Sequence, residues 1–290
     1  MEAPLVSWLM PVFNAEKTIR RALDSMLAQT YQNFIIIIIE DGSTDSSAAI
    51  CHEYAARDAR IRVYLNSENL GVGASLNRGL DLCEGKYVAR LDADDYSYPE
   101  RLEKQVDYME LHPDTGVLFS SVRLLVEGGF STVVKPPLDY EEIRVRLLFH
   151  NPNLHNPTVL LNLDMFRRNG WNYNTTDVAE DYALWASLLI SNTSFACLQE
   201  VLVDYHVGQM NVTVQKKAEI MKNAGEISRK TILQVFGLDS ASYNDILFGI
   251  NFYCDIPLGT DSKDFLASAL SLLQELKKLN AEQKLFSDTV

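Results

Sequence analysis

Two places in this sequence run an apolar stretch straight into carboxylates. In Phe34-Ile-Ile-Ile-Ile-Ile-Glu-Asp-Gly-Ser-Thr-Asp45, five consecutive isoleucines lead into Glu40 and Asp41. Lys86-Tyr-Val-Ala-Arg-Leu91 leads in the same way into Asp92-Ala-Asp-Asp95. Three carboxylates that close repel one another, and at least one is pushed toward protonation unless a cation sits among them. Oxygen-rich clusters with few ligands suit Mg2+ or Mn2+, which keep water and substrate phosphates in their other positions. A solvated acidic turn is the plain alternative. Two strands of one sheet ending in acids favour the chemical reading.

The elements that must position these acids follow from the apolar pattern. The isoleucine run is too short to span a membrane, which takes about 20 apolar residues. β-Branched residues are stiff at χ1 and suit a strand. A strand apolar on both faces belongs in the middle of a parallel sheet covered by helices on both sides. Ligands bind such sheets beyond the carboxyl ends of the strands, where Glu40 and Asp41 fall. Strands at Val6–Met10, Ile61–Leu65 and Lys86–Leu91 alternate with helices through Ile19–Leu27, from near Asp45, and around Leu76 and Leu80. Pro11-Val-Phe-Asn14 is expected as a turn. This order predicts a doubly wound sheet over the first hundred residues or so.

The second half is more mixed. A helix is expected after Pro99, a strand from Val117 to Leu125, and a capping box at Asp139-Tyr-Glu-Glu142. A strand from Thr158 to Leu161 and a helix opening at Ala179-Glu-Asp181 follow. Beyond Val214 the sequence becomes lysine-rich and amphipathic, with Phe265, Leu266, Leu270, Leu273 and Leu276 as an apolar stripe that needs cover. The reading divides the chain into a first half over 1–95 that carries both acid clusters, a second half over 96–213 and a helical extension over 214–290.

Composition narrows the partners. The chain has 290 residues and a net charge of 26 − 39 = −13. That balance argues against nucleic acid and gives no polybasic handle for an anionic bilayer. A polyanionic ligand would need a metal ion or a few local cations as go-between. Cys51, Cys83, Cys197 and Cys254 are widely spaced and read as core thiols in a reducing setting. Met1-Glu-Ala-Pro lacks the features of a signal peptide. The expected location is cytoplasmic, with peripheral attachment to the inner face of the membrane as an alternative.

In this order the motifs resemble those of the family 2 glycosyltransferases, an inverting class with a GT-A fold. They are Met10-Pro-Val-Phe-Asn14, Glu40-Asp-Gly-Ser-Thr-Asp45, Asn69-Leu-Gly71 with Leu76-Asn77, Gly85-Lys-Tyr-Val88, Asp92-Ala-Asp-Asp95, and Glu180-Asp-Tyr182 with Leu184-Trp185. The resemblance covers Leu5 to about His206 and implies an α/β fold: a mostly parallel sheet with helices on both faces, here with the helical extension. It implies that Pro11, Phe13, Asp41 and Asn69 hold the nucleotide. Asp92 and Asp95 would hold the donor, with Asp94 and Asp92 at a Mg2+ or Mn2+ ion. Asp181, beside Glu180, would be the catalytic base, at a helix start where the dipole favours the ionised carboxylate. Four departures stand out. Glu40 and Phe13 replace Asp and Tyr, Ser187 replaces the arginine of Leu-Trp-x-Arg, and Tyr205-His-Val-Gly208 replaces Tyr-Arg-x-His.

The expected function is metal-dependent transfer of a sugar from a nucleotide diphosphate, UDP in the first instance, to a saccharide or lipid-linked acceptor in cell-surface polysaccharide synthesis. A non-catalytic sugar-nucleotide binder on the same fold is the alternative. A phosphotransferase or phosphatase ranks lower, because its Asp-x-Asp usually follows the first strand. His155 is expected on a loop facing the acceptor, or as a satisfied loop histidine. His206 is a lesser candidate as a metal ligand. Arg78 and Arg90 are candidate pyrophosphate cations, with salt-bridged placements as the alternative. A homo-oligomer through the C-terminal helices is left open.

Overall fold

The computed structural model describes residues 3–175, 178–208, 215–239, 243, 247 and 262–287. The isoleucine strand β2 (Phe34–Glu40) is buried at all seven positions, parallel to β1 (Val6–Val12) on one side and β3 (Ile61–Leu65) on the other. Beyond β1 lies β4 (Tyr87–Arg90), again parallel. The sheet continues through β5 (Tyr96–Ser97), β6 (Thr115–Val126), β7 (Ser131–Val134), β8 (Leu160–Asn162) and β9 (Ser194–Val207). Its order is β3-β2-β1-β4-β8-β6-β9-β5, with β7 paired to β6. Past β4 the pairing is antiparallel except between β6 and β9.

Both faces are covered. Trp8, Met10, Ile36 and Ile38 share one core with residues of α1 (Ile19–Leu27), α2 (Ser47–Arg57) and α4 (Arg101–Leu111). On the opposite face α3 (Val72–Leu82) approaches so closely that a Cβ at Gly79 would lie 2.1 Å from Leu9 Cδ1. The alternation of side chains along a strand sends Leu9 and Ile39 to that face.

Three local expectations need correction. Pro11 and Val12 extend β1 rather than forming a turn. Proline is tolerated there because the register with β4 stops at Leu9 opposite Arg90, so no ladder bond is lost. Asn156–Thr158 form a 3-10 turn, and the strand starts only at Leu160. The third correction concerns the last helix, Ser262–Gln283. Leu276 is buried as expected, but its partner on that face is Leu272, whereas Leu270 and Leu273 are 58% and 50% exposed. Leu272 and Leu276 lie one turn apart on one side of the helix, and Leu270 and Leu273 project elsewhere. The side chains of Phe265 and Leu266, and Cys254, lie outside the described residues.

The chain forms two compact units. The first comprises Met1–Leu138, Asn153–Thr176 and Ser194–Gln209, and carries the sheet. The second comprises Asp139–Pro152, Asp177–Thr193 and Met210–Val290. It is helical: α5 (Tyr140–Leu147), α7 (Glu180–Ile190) and the helix Lys217–Phe236 pack together. (Between them in sequence, α6 spans Leu163–Arg168 in the first unit.) Asp139 caps α5 by accepting from the N–H of Glu142, as the capping box predicts. Tyr182 and Ser228 donate to the C=O groups of Leu147 and Leu148, closing the end of α5. No helix among the described residues is long and apolar enough to cross a membrane.

Candidate active site

The first constellation lies past β2. Glu40 turns its carboxylate back onto the N–H groups of Ser43, at 2.7 Å, and Gly42. Gly42 has φ +72°, and a Cβ there would fall 2.8 Å from the carbonyl carbon of Glu68, so only glycine fits. Asn14 receives the N–H of Thr44 and donates its own N–H to Ser43, tying the exit of β1 to the same turn. Asp41 is only 3% exposed. Its Oδ1 accepts from Asn66 Nδ2 at 2.6 Å and from the N–H of Leu70 at 2.9 Å, and its Oδ2 from the N–H of Gly71 at 2.9 Å. Asn69 accepts from Gly71 as well. Asp41 and Asn69, far apart in sequence, therefore meet at one loop. Phe13, at the mouth of β1, is 46% exposed. Arg78 is turned toward Asn66 Oδ1 and the C=O of Leu65, so it orients Asn66.

The second constellation is the acid turn after β4, closed by the N–H of Asp95 on the C=O of Asp92. Arg90 is buried and pairs with Asp92 Oδ1 at 2.9 Å. Asp95 is fully buried: Oδ1 accepts from the backbone N–H of His206 at 2.9 Å, and Oδ2 has no partner among the described residues. Burial first, then the charges of Asp92 and Asp94, push its carboxyl well above the usual carboxylate range. Below the turn, Arg101 is buried against the Trp8 ring and donates to the carbonyls of Arg90 and Val159. Burial brings its guanidinium down to about 9.

Among the described residues no three His, Cys, Asp or Glu side chains meet at a point that could hold a cation. The described residues thus offer no all-protein metal cage. What fits is a cation bound through one or two carboxylates of the turn that brings phosphate and water oxygens as its other ligands, the usual manner of Mg2+.

The pairing of β5 with β9, Tyr96 opposite Asp204, carries the end of β9 to this turn. Arg21 of α1, which no motif singles out, joins it there. Its Nη2 donates to the C=O of Asp94 at 2.6 Å, and its Nη1 stands 2.9 Å from His206 Nε2. Arg21 lies 73 positions from Asp94, and nothing local in the sequence announces the meeting. Burial and then Arg21 hold the His206 imidazole below its ordinary value. His155 packs its ring 5.3 Å from that of Tyr205, and burial lowers it to about 4.

Glu180 and Asp181 open α7 in the second unit. Asp181 Oδ1 accepts from the N–H of Tyr182 at 2.6 Å, and Oδ2 from Asn151 Nδ2 at 3.3 Å. Asn151 is a second residue that sequence reasoning misses. Ser187 donates back to the C=O of Leu184 within the helix.

The sequence model of glycosyl transferase family 2 matches residues 7–170, a span that contains both acid-tipped strands. The chain is a family 2 glycosyltransferase. An uncharacterized glycosyltransferase of Haemophilus influenzae is 33% identical over 259 residues, covering 84% of this chain and 79% of the relative. One from Methanocaldococcus jannaschii is 32% identical over 210 residues, covering 71% and 72%. In three dimensions this glycosyltransferase is similar to residues 1–349 of Staphylococcus aureus TarS in complex with UDP-GlcNAc. The TM-score is 0.67 at 18% identity, over 91% of this chain and 81% of that one. It is also similar to the Pyrobaculum calidifontis mannosyltransferase PcManGT in complex with GDP-Man and Mn2+. There the TM-score is 0.59 at 15% identity, over 97% and 84%. The sheet and its flanking helices are of the GT-A type.

Proposed function

We propose that this glycosyltransferase moves a sugar from a uridine-diphosphate donor to a hydroxyl of a saccharide or lipid-linked saccharide, inverting the anomeric carbon. Similarity of fold leaves the base open, since TarS was solved with UDP-GlcNAc and PcManGT with GDP-Man. The observation that carries the choice is the hydrogen bonding of Asp41. A carboxylate has about four acceptor sites. Oδ1 takes two N–H donors and Oδ2 one, which leaves a single acceptor position, on Oδ2. Uracil presents one N–H, at N3. Guanine presents N1–H and its 2-amino group side by side, a pattern suited to a carboxylate with both oxygens open. Phe13 supplies an exposed ring for the base to stack on, with Pro11 and Asn69 beside the same loops.

The transfer then runs as a direct displacement. Asp181 takes the proton of the acceptor hydroxyl as its oxygen bonds to the anomeric carbon. The bond from that carbon to the diphosphate oxygen breaks on the opposite face, and the diphosphate leaves with the electron pair. A positioned base contributes typically about 10²–10⁴-fold to such a step. The hydrogen bonds from Asn151 and from the N–H of Tyr182 hold the carboxylate in place, and Glu180 flanks it. Mg2+ or Mn2+, held by Asp94 with Asp92, supplies Lewis-acid stabilisation of the diphosphate when bound. Asp95 holds the turn from below. The product is assigned to cell-surface polysaccharide synthesis on the cytoplasmic side of the membrane.

A screen of UDP- and GDP-sugars against saccharide acceptors, with Mg2+, Mn2+ or EDTA, followed by NMR of the product anomeric centre, tests this reading. Turnover with GDP-sugars alone, or retention at the anomeric carbon, overturns it.

A further inference from the structure

Arg20 and Arg21 are neighbours on α1 with different surroundings. Arg20 lies on Glu53, Nη2 to Oε2 2.6 Å, a solvent-exposed ion pair that neutralises it. Arg21 has no carboxylate oxygen within ion-pair distance among the described residues. It rests on two uncharged acceptors, the backbone carbonyl of Asp94 at 2.6 Å and the His206 ring, at 2.9 Å from Nε2 and 3.2 Å from Nδ1. A guanidinium has five N–H donors in a fixed planar fork. At most three are engaged here, so at least two remain. The group is thus fixed in direction while its positive charge stays uncompensated.

That arrangement is unusual in a protein of net charge −13. A cation beside three aspartates would ordinarily settle on one of the carboxylates. This one is held at the rim of the acid turn by a carbonyl and an imidazole, and it is exposed to solvent. An immobilised guanidinium with free donors is a receptor for a doubly anionic group, because its fork matches two oxygens of a phosphate and little ordering is left to be done on binding.

We propose that Arg21 binds the diphosphate of the donor, held for that task by the Asp94 carbonyl and the His206 ring. This rests on the donor reading above. It adds to it a cation from α1, brought to the acid turn by the first helix of the protein. His206 is then the support of Arg21, and the backbone N–H of His206 on Asp95 keeps the support in register with the turn.

The test compares ligands that differ only in the diphosphate. Binding of UDP is measured by calorimetry and binding of uridine by ligand-observed NMR. The full-length protein is used as wild type, Arg21→Gln, Arg21→Lys and, as a control, Arg20→Gln, each with Mg2+ and with EDTA. Arg21→Gln is expected to weaken UDP roughly 10- to 100-fold, the span for a lost charge-assisted hydrogen bond, and to leave uridine unchanged. Arg21→Lys should recover part of the loss, and Arg20→Gln should match wild type. UDP binding by Arg21→Gln equal to wild type overturns the proposal. So does an equal loss for UDP and uridine together with a lowered Tm, which would make Arg21 a structural tie only. If wild type bound uridine as well as UDP, the donor reading itself would fail, an outcome separate from either of those.

Discussion

Asn66 donates to Asp41 Oδ1 at 2.6 Å and to Ser75 Oγ at 2.9 Å, so the carboxylate at the end of β2 is held by the residue that follows β3. Arg78 holds Asn66 in turn. The carboxylate proposed to recognise the base is thereby fixed by residues from two other segments of the sequence. Asn66→Ala should cost about 1–3 kcal/mol of stability, the range for leaving a buried polar group without its partner, and weaken UDP. Asn66→Asp should be worse, since it sets a second carboxylate against Asp41. Chemical denaturation with UDP titration checks both; an Asn66→Asp protein as stable as wild type would contradict this account of Asp41.

Asp94→Ala should abolish transfer and weaken metal-dependent donor binding while the fold survives. Asp94 is one of three crowded carboxylates and contributes its backbone carbonyl, which alanine keeps, to the Arg21 contact. Turnover assays with Mn2+ and with EDTA read the effect. Wild-type turnover by this variant in EDTA would remove Asp94 from the metal role.

Asp181→Asn keeps the shape of the side chain and cannot take a proton. Donor affinity should hold and kcat should fall by about 10²–10⁴-fold. Calorimetry with UDP beside a rate assay separates the two terms. A loss of affinity at unchanged rate would move Asp181 out of the base role.

His155 provides a pH test. Burial lowers its folded value to about 4 from an ordinary 6.5. The unfolded protein then takes up a proton between those values while the folded protein does not. Stability from this group is complete above about pH 6.5 and is lost as pH falls toward 4. The residue is half-buried although its Nε2 is fully covered, so screening reduces the contribution to on the order of 1 kcal/mol. Urea unfolding of wild type and His155→Asn from pH 4 to 7 should give a steeper slope for wild type. Parallel curves would show that His155 titrates normally.

Ending the protein after Gly208 should leave it poorly soluble. The helix Lys217–Phe236 buries Met221, Ala224, Ile227 and Ile232 and packs on α7, so removing it uncovers an apolar face of the second unit. Expression and size-exclusion chromatography decide the matter. A soluble, fully active monomer would mark the tail as detachable.

Much of the first hundred residues could be read directly, because helix and strand periods are local properties of sequence. Five isoleucines admit one placement, a strand covered on both faces, and acids directly after such a strand must stand at its carboxyl end. The acid turn, the Asp139 cap and the start of α7 at Glu180 follow from signals within a few residues. Other features depend on pairs distant in sequence. Asp41 meets Leu70 and Gly71, Asp95 meets His206, and Arg21 meets Asp94 only because parallel strands and the late strand β9 bring separate segments to one edge. Local composition carries no record of such meetings, since many side chains would satisfy the same helix or strand. The same holds for the last helix. Its sequence offered more than one apolar stripe, and packing within the second unit chose Leu272 and Leu276 over Leu270 and Leu273. Periodicity alone determined that these residues form elements. Which atoms of those elements face one another was decided by the tertiary structure, where close packing and hydrogen-bond satisfaction act between segments rather than along them.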